Sequence, residues 1–210
     1  NIRKLNLKES LPPDISSLNI VVLTKKKKDY SNDNHPLFGI SDHIFKTFDD
    51  RPNLFTKREV RVQILADLEL PKNGVIWDIG AGCGSIGLEA LKLRPNLDLF
   101  CIDKRIGSKR LISENSKILG VKPKSIIEED INNILNTKLS SFEKPNRIVI
   151  GGCKIKTKLL IIKKVAQVMH FGDIIIIPIV DIQSIKKLKE ELEINFFKTN
   201  LNLIQTYKNL

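Results

Sequence analysis

The residues best suited to chemistry lie in Asp78-Ile-Gly-Ala-Gly-Cys-Gly84, where an aspartate stands two residues ahead of the first of three alternating glycines. An apolar strand runs into this loop and a helix leaves it. Glycines at that density let the backbone turn sharply and approach a ligand closely, because no side chain intervenes. Dinucleotide-binding loops follow a wholly apolar strand and space their glycines G-x-G-x-x-G, whereas here the spacing is G-x-G-x-G and the strand carries Asp78. An acid at that place suits a cationic ligand end, such as the ammonium and sulfonium of S-adenosylmethionine, better than a pyrophosphate. The plainer alternative is an ordinary tight turn from strand to helix. Asp103, 23 residues beyond Gly80, ends the segment Asp98-Leu-Phe-Cys-Ile-Asp103. A carboxylate at a strand tip can accept hydrogen bonds from two ribose hydroxyls; alone, it would read as a helix cap. In Glu129-Asp130-Ile131 a carboxylate and the following N–H could meet an adenine edge. The candidate nucleoside site is therefore Asp78, Gly80, Ala81, Gly82, Cys83, Gly84, Asp103, Asp130 and Ile131.

These residues need a scaffold, and the apolar pattern supplies one. An amphipathic helix is expected from Thr56 to about Leu68, followed by alternating strand-length and helical segments. The strands fall at Val75 to Ile79, Leu97 to Ile102, Ser125 to Glu128, Arg147 to Ile150 and Asp173 to Val180. Helices fall near Ile86 to Leu93, Ile106 to Leu119, Lys158 to Met169 and Ile182 to Leu192. This alternation predicts βαβ units, hence an α/β fold with a mainly parallel sheet and helices on both faces. Upstream, Leu18 to Leu23 reads as a short strand, and Lys25 to Lys28 with the polar stretch to Pro36 reads as a linker.

A chain of 210 residues holds one full domain plus an appendage. The longest apolar run, residues 174–180, is too short to cross a bilayer. Thirty-five Lys and Arg against 24 Asp and Glu give a net charge of +11, which attracts anions without choosing among them. Much of that excess is lysine in a chain also rich in Ile and Asn, so it reads as composition more than as a designed patch. Cys83, Cys101 and Cys153 stand too far apart for a disulfide framework or a zinc ribbon, and no metal site is expected. His35, His43 and His170 are scattered, and each is expected to be structural or solvated. Unpaired cysteines and the absence of a signal peptide at Asn1 point to the cytoplasm.

With these elements in place, residues 37 to about 205 resemble the precorrin-6Y methyltransferase family of cobalamin biosynthesis, in its decarboxylating domain that methylates carbon 15. The resemblance rests on Leu37-Phe-Gly-Ile-Ser-Asp42 with Phe45, Thr56-Lys-Arg-Glu-Val-Arg61, the glycine loop, Asp103, Asp130 and Gly151-Gly152. It implies a Rossmann-like class I methyltransferase fold, S-adenosylmethionine as cofactor and a polycarboxylate tetrapyrrole as substrate, with no nucleic-acid or membrane partner. It also implies cofactor contacts at Thr56, Gly80 to Gly84, Asp103, Asp130 and Ile131, a substrate loop at Gly151 and Gly152, and a homo-oligomer of the tetrameric kind that family members tend to form. No catalytic residue is assigned. Thr56 and Glu59 also form a T-x-x-E capping box, which would explain both without a ligand. Arg58 reads as part of a solvated face, and Lys57 and Arg61 could be solvated or face the tetrapyrrole. Residues 1–36 resemble the tail of a preceding domain plus a linker, residues 37–210 the methyltransferase domain, and the chain is expected to stop at Leu210 inside its sixth strand.

Cys153-Lys-Ile-Lys156 after the glycine pair and Pro178 at the end of the fifth strand depart from the family pattern. They bear on the substrate side. One rival is a class I methyltransferase acting on RNA or on another small molecule. Base-methylating enzymes generally place an Asn or Asp, two prolines and an aromatic after the fourth strand, where this chain has Ile150-Gly-Gly152. A second rival is a non-catalytic module that keeps cofactor binding.

Overall fold

The computed structural model describes residues 35–52, 55–137, 142–179 and 182–194. A 3-10 turn at Asp42–Ile44 precedes α1 (Arg58–Asp67), β1 (Gly74–Ile79), α2 (Ser85–Leu93), β2 (Leu97–Asp103), α3 (Ser108–Leu119) and β3 (Ser125–Glu128). There follow α4 (Ile131–Thr137), β4 (Arg147–Ile150), α5 (Ile155–Val165), β5 (Ile174–Ile176) and α6 (Ile182–Ile194). The five strands are parallel in the order β3-β2-β1-β4-β5.

Side chains alternate across these strands, so each strand serves two cores. Ile76, Leu99, Cys101 and Val149 face a cluster with Ile64, Leu65 and Leu68 of α1, Leu88 and Leu91 of α2, and Ile112 and Leu119 of α3. Trp77, Ile79, Phe100, Ile102, Ile148 and Ile150 face the other, with Ile134 of α4, Ile161, Ile162 and Val165 of α5, and Leu188 of α6. Burial on both faces is why these strands read as continuous apolar runs. The order reverses at β1, between β2 and β4, the switch point beyond whose carboxyl ends open α/β sheets generally bind ligands.

The expected elements are present with three shifts. The strand expected over 173–180 pairs only through Ile174–Ile176, because Pro178 has no N–H to donate. The helix expected from Lys158 begins a turn earlier, at Ile155, and ends at Val165. The helix α4 falls where none was expected. The strand expected at 18–23, most of the linker and the partial sixth strand lie outside the described residues.

Candidate active site

The glycine loop leaves β1 with Gly80, Gly82 and Gly84 at φ of 72°, 60° and 79°. The N–H groups of Gly80 and Ala81 donate to the Ile102 carbonyl at 2.8 and 3.2 Å, and that of Gly82 donates to Asp103 Oδ2 at 2.7 Å. The loop is thus moored to the tip of β2. Gly80 is doubly constrained: its φ is left-handed, and a Cβ there would lie 3.0 Å from the Gly152 nitrogen. Gly151 meets the same junction from the other side, its N–H donating to the Ile79 carbonyl at 2.7 Å. The loop after β1 and the turn after β4 therefore touch backbone to backbone. A Cβ on Gly82 or on Gly152 would instead meet nothing within 4 Å. Both sides of the crevice border open space that a ligand can fill.

The acids divide in their roles. Asp103 accepts from Arg105 N–H at 2.8 Å through Oδ1 and from Gly82 N–H through Oδ2. Each carboxylate oxygen has a second lone pair, so holding the loop and binding a sugar are compatible. Asp78 is only 2% exposed, and its Oδ2 accepts the N–H of Gly87, in the first turn of α2, at 3.0 Å. Burial pushes its carboxyl up to about 7; the Gly87 N–H opposes this and the Asp103 charge adds to it. Asp78 thus braces the loop from beneath. Gly87, which sequence reading passed over, exists for that contact, since a Cβ would come within 2.9 Å of Asp78 Oδ2 and 2.8 Å of Leu99. Asp130 opens α4 by accepting Asn132 N–H at 2.9 Å, with the Lys104 ammonium 3.6 Å from Oδ2. The Ile131 side chain is buried in the second core. Cys83 and Cys101 are buried thiols pushed upward by desolvation.

Residues 39–50 form a strap alongside this site, anchored at three places. Arg61 and Glu89 are wholly buried, with Arg61 Nε donating to Glu89 Oε2 at 2.7 Å. Glu89 also accepts the N–H groups of Gly39 and Ile40, at 2.5 and 3.2 Å. Arg61 completes the clasp through Asp42, the Ile40 carbonyl and the Thr56 carbonyl, the last at 2.7 Å, with Phe45 beneath its guanidinium. Asn115 on α3 pairs with both the N–H and the carbonyl of Lys46 and donates to the Cys83 carbonyl at 2.9 Å. Arg105, next to Asp103, stacks on Phe48 and pairs with Asp50.

Two expectations are corrected here. Thr56 and Glu59 form no capping box: the residue ahead of α1 is Lys57, and no side chain caps the helix. Arg61 is neither solvated nor turned to a substrate; it is the centre of the clasp. Lys57 lies over the Phe55 ring, and Arg58 is exposed at the surface with Nε on the Gly39 carbonyl at 2.7 Å. Glu89 and Asn115 were legible only as polar residues on apolar helix faces.

On the far side of β1, Gly152 is exposed and Cys153 is half-buried, its thiol pushed upward by desolvation. Lys158, one turn into α5, spans from the Ile150 carbonyl at 3.0 Å to the Pro178 carbonyl at 2.9 Å. Among the described residues, no group of three or more His, Cys, Asp or Glu is placed to hold a metal ion, and no helix is long and apolar enough to cross a membrane.

A glycine loop, a strand-tip acid and a glycine pair at one switch point mark a class I methyltransferase fold. A sequence profile of the precorrin methyltransferase domain matches residues 47–199. The chain belongs to this family. A probable cobalt-precorrin-6B C(15)-methyltransferase (decarboxylating) of Saccharolobus solfataricus is 30% identical over 162 residues, 76% of this chain and 78% of that protein. The precorrin-6Y C(5,15)-methyltransferase [decarboxylating] of a Sinorhizobium species is 33% identical over 114 residues, 54% of this chain but only 26% of that longer protein. The crystal structure of precorrin-6Y C5,15-methyltransferase from Geobacter metallireducens superimposes with a TM-score of 0.68 at 29% identity, covering 79% of this chain and 84% of the other. In this chain the strap and the clasp account for the two motifs ahead of the first strand.

Proposed function

We propose that this chain is an S-adenosylmethionine-dependent C-methyltransferase that methylates carbon 15 of a precorrin of the 6Y or 6B type, with loss of the ring-C acetate as carbon dioxide. The observation that carries the reading is the backbone contact between Gly80 and the Gly151-Gly152 turn, with open space at Gly82 and Gly152 on either side. In this reading the open space at Gly82 would take the nucleoside and that at Gly152 the methyl acceptor, side by side across the junction.

When bound, the cofactor supplies an electrophilic methyl group on a sulfonium. Asp103 would take the ribose hydroxyls on the lone pairs its backbone partners leave. Residues 80–84 would line the cofactor with main chain, Thr56 would close the strap side, and Asp130 with the Ile131 N–H would meet the adenine edge. Asp78 would balance the cationic end from beneath the loop. In-line transfer asks the protein mainly to hold donor and acceptor about 3 to 3.5 Å apart and to exclude water. No acid–base triad is required, because the conjugated macrocycle can take up the electrons released with carbon dioxide. Gly151 and Gly152 would border the acceptor, and the net charge of +11 would steer a polycarboxylate inward. A cytoplasmic setting, a homo-oligomer and a domain spanning residues 37–210 belong to the same proposal.

Calorimetric titration with S-adenosylhomocysteine, followed by incubation with S-adenosylmethionine and precorrin-6B, tests it. Saturable binding with methylation and equimolar carbon dioxide is expected. Binding without turnover would make the chain a cofactor-binding module, and methylation of RNA in place of the tetrapyrrole would overturn the substrate assignment.

A further inference from the structure

The side chain of Lys158 is the least expected burial on the acceptor side. Lysine is almost never this deeply buried without a carboxylate partner, yet its residue is 6% exposed and its ammonium rests on two main-chain carbonyls alone among the described residues. Desolvation pushes this ammonium's pKa down, with the Cys153 thiol the one neighbour opposing that shift. A leucine or methionine would fill the same helical position without that cost, so the position serves something other than packing.

What the ammonium does follows from where the β4–β5 ladder stops. Pairing runs from Arg147 opposite Ile174 to Val149 opposite Ile176 and goes no further. Two residues beyond Ile176 stands Pro178, which has no N–H to offer. Lys158 Nζ bridges the tips beyond that break, joining Ile150 O to Pro178 O. Ile150 is the residue before the glycine pair. The side chain thus substitutes for the ladder beyond its last pair, and one of its two carbonyls belongs to Pro178, a departure from the family pattern.

We infer that Lys158 is a positioning residue for the methyl acceptor: by clipping the carboxyl ends of β4 and β5 together, it fixes the Gly151-Gly152 turn against which the acceptor lies. This rests on the functional reading above and adds to it a determinant on the acceptor side alone. The cofactor half has its own anchors and does not depend on the clip.

The test compares the wild-type chain with Lys158→Met and Lys158→Arg, using steady-state kinetics with S-adenosylmethionine and precorrin-6B and amide hydrogen exchange. In Lys158→Met, the KM for S-adenosylmethionine should stay within about twofold, kcat/KM for precorrin-6B should fall at least roughly tenfold, and amides 151–153 should exchange at least roughly tenfold faster while amides 80–84 keep their protection. Lys158→Arg, which retains charge and donors, should recover a substantial part of both losses. Unchanged acceptor kinetics and exchange in Lys158→Met would overturn the inference, as would uniform loss of protection with both KM values disturbed. Should the wild-type chain bind S-adenosylhomocysteine yet methylate no precorrin, the functional reading fails, and the exchange comparison alone decides whether Lys158 sets the turn.

Discussion

On the β2 side of β1, the glycine loop is held by the Ile102 carbonyl, by Asp103 and by Asn115, the helix after it is braced by Asp78, and the neighbouring strap is pinned by Glu89, Arg61 and Arg105. On the β4 side, the turn after the strand has its contacts with Ile79 and Gly80 and the single clip from Lys158. The carboxyl end of the sheet therefore sets a firmly held loop next to a turn held by few bonds. A nucleoside presents one fixed set of hydroxyls and ring edges and is served by rigidity. On the proposed acceptor side preorganisation rests on far fewer bonds, so each of them counts for more.

That contrast can be broken experimentally, most severely at the clasp. Glu89→Ala leaves the buried Arg61 with Asp42 as its remaining carboxylate and frees the Gly39 and Ile40 N–H groups, and should cost about 3 to 5 kcal/mol in urea denaturation; a loss below about 1 kcal/mol would remove the clasp as the support of the strap. Asp78→Asn comes next and has a definite sign. The folded chain keeps a proton on Asp78 between 3.8 and about 7 that the unfolded chain has released, so stability drops as pH rises through that window and stays lower above it. The amide carries no such penalty and can still accept from Gly87. The variant should match wild type near pH 4 and gain on the order of 2 to 4 kcal/mol at pH 8; a gain that does not vary with pH would contradict the buried, protonated carboxyl.

Asp103→Ala sharpens the comparison by attacking the cofactor side alone. Affinity for S-adenosylhomocysteine should weaken by about 1 to 3 kcal/mol through lost charge-assisted hydrogen bonds, read by calorimetry; unchanged affinity would take Asp103 out of the site. Gly152→Ala should have the smallest effect on stability, within about 0.5 kcal/mol by thermal melting, since its Cβ would meet nothing within 4 Å. Precorrin turnover in that variant should nevertheless fall, and full turnover would show that the acceptor does not use that space.

Much of this was legible in the sequence because strands buried on both faces leave unbroken apolar runs. Ser125–Glu128 and Arg147–Ile150 were expected with the bounds they have. The helix Ile131–Thr137 escaped notice because Asn132, Asn133 and Asn136 are poor helix formers, although Ile131, Ile134 and Leu135 carry the i, i+3, i+4 spacing that buries it. In α5, a start rich in lysine and lacking a side-chain cap hid the first turn. Charged residues were misread for a different reason. Arg61 in a polar-looking helix start gives no local sign that its partner lies 28 residues further on, and Glu89 none that it will meet Gly39. Such pairs are products of tertiary packing, which periodicity does not report.

The strap has a consequence for how the molecule comes into being. Its anchoring partners, from Glu89 through Arg105 to Asn115, are all encoded before β4 begins at Arg147. Every residue that pins residues 39–50 is therefore synthesised ahead of the β4 half. Biogenesis can then proceed with the glycine-loop half assembled first and the β4 side added last.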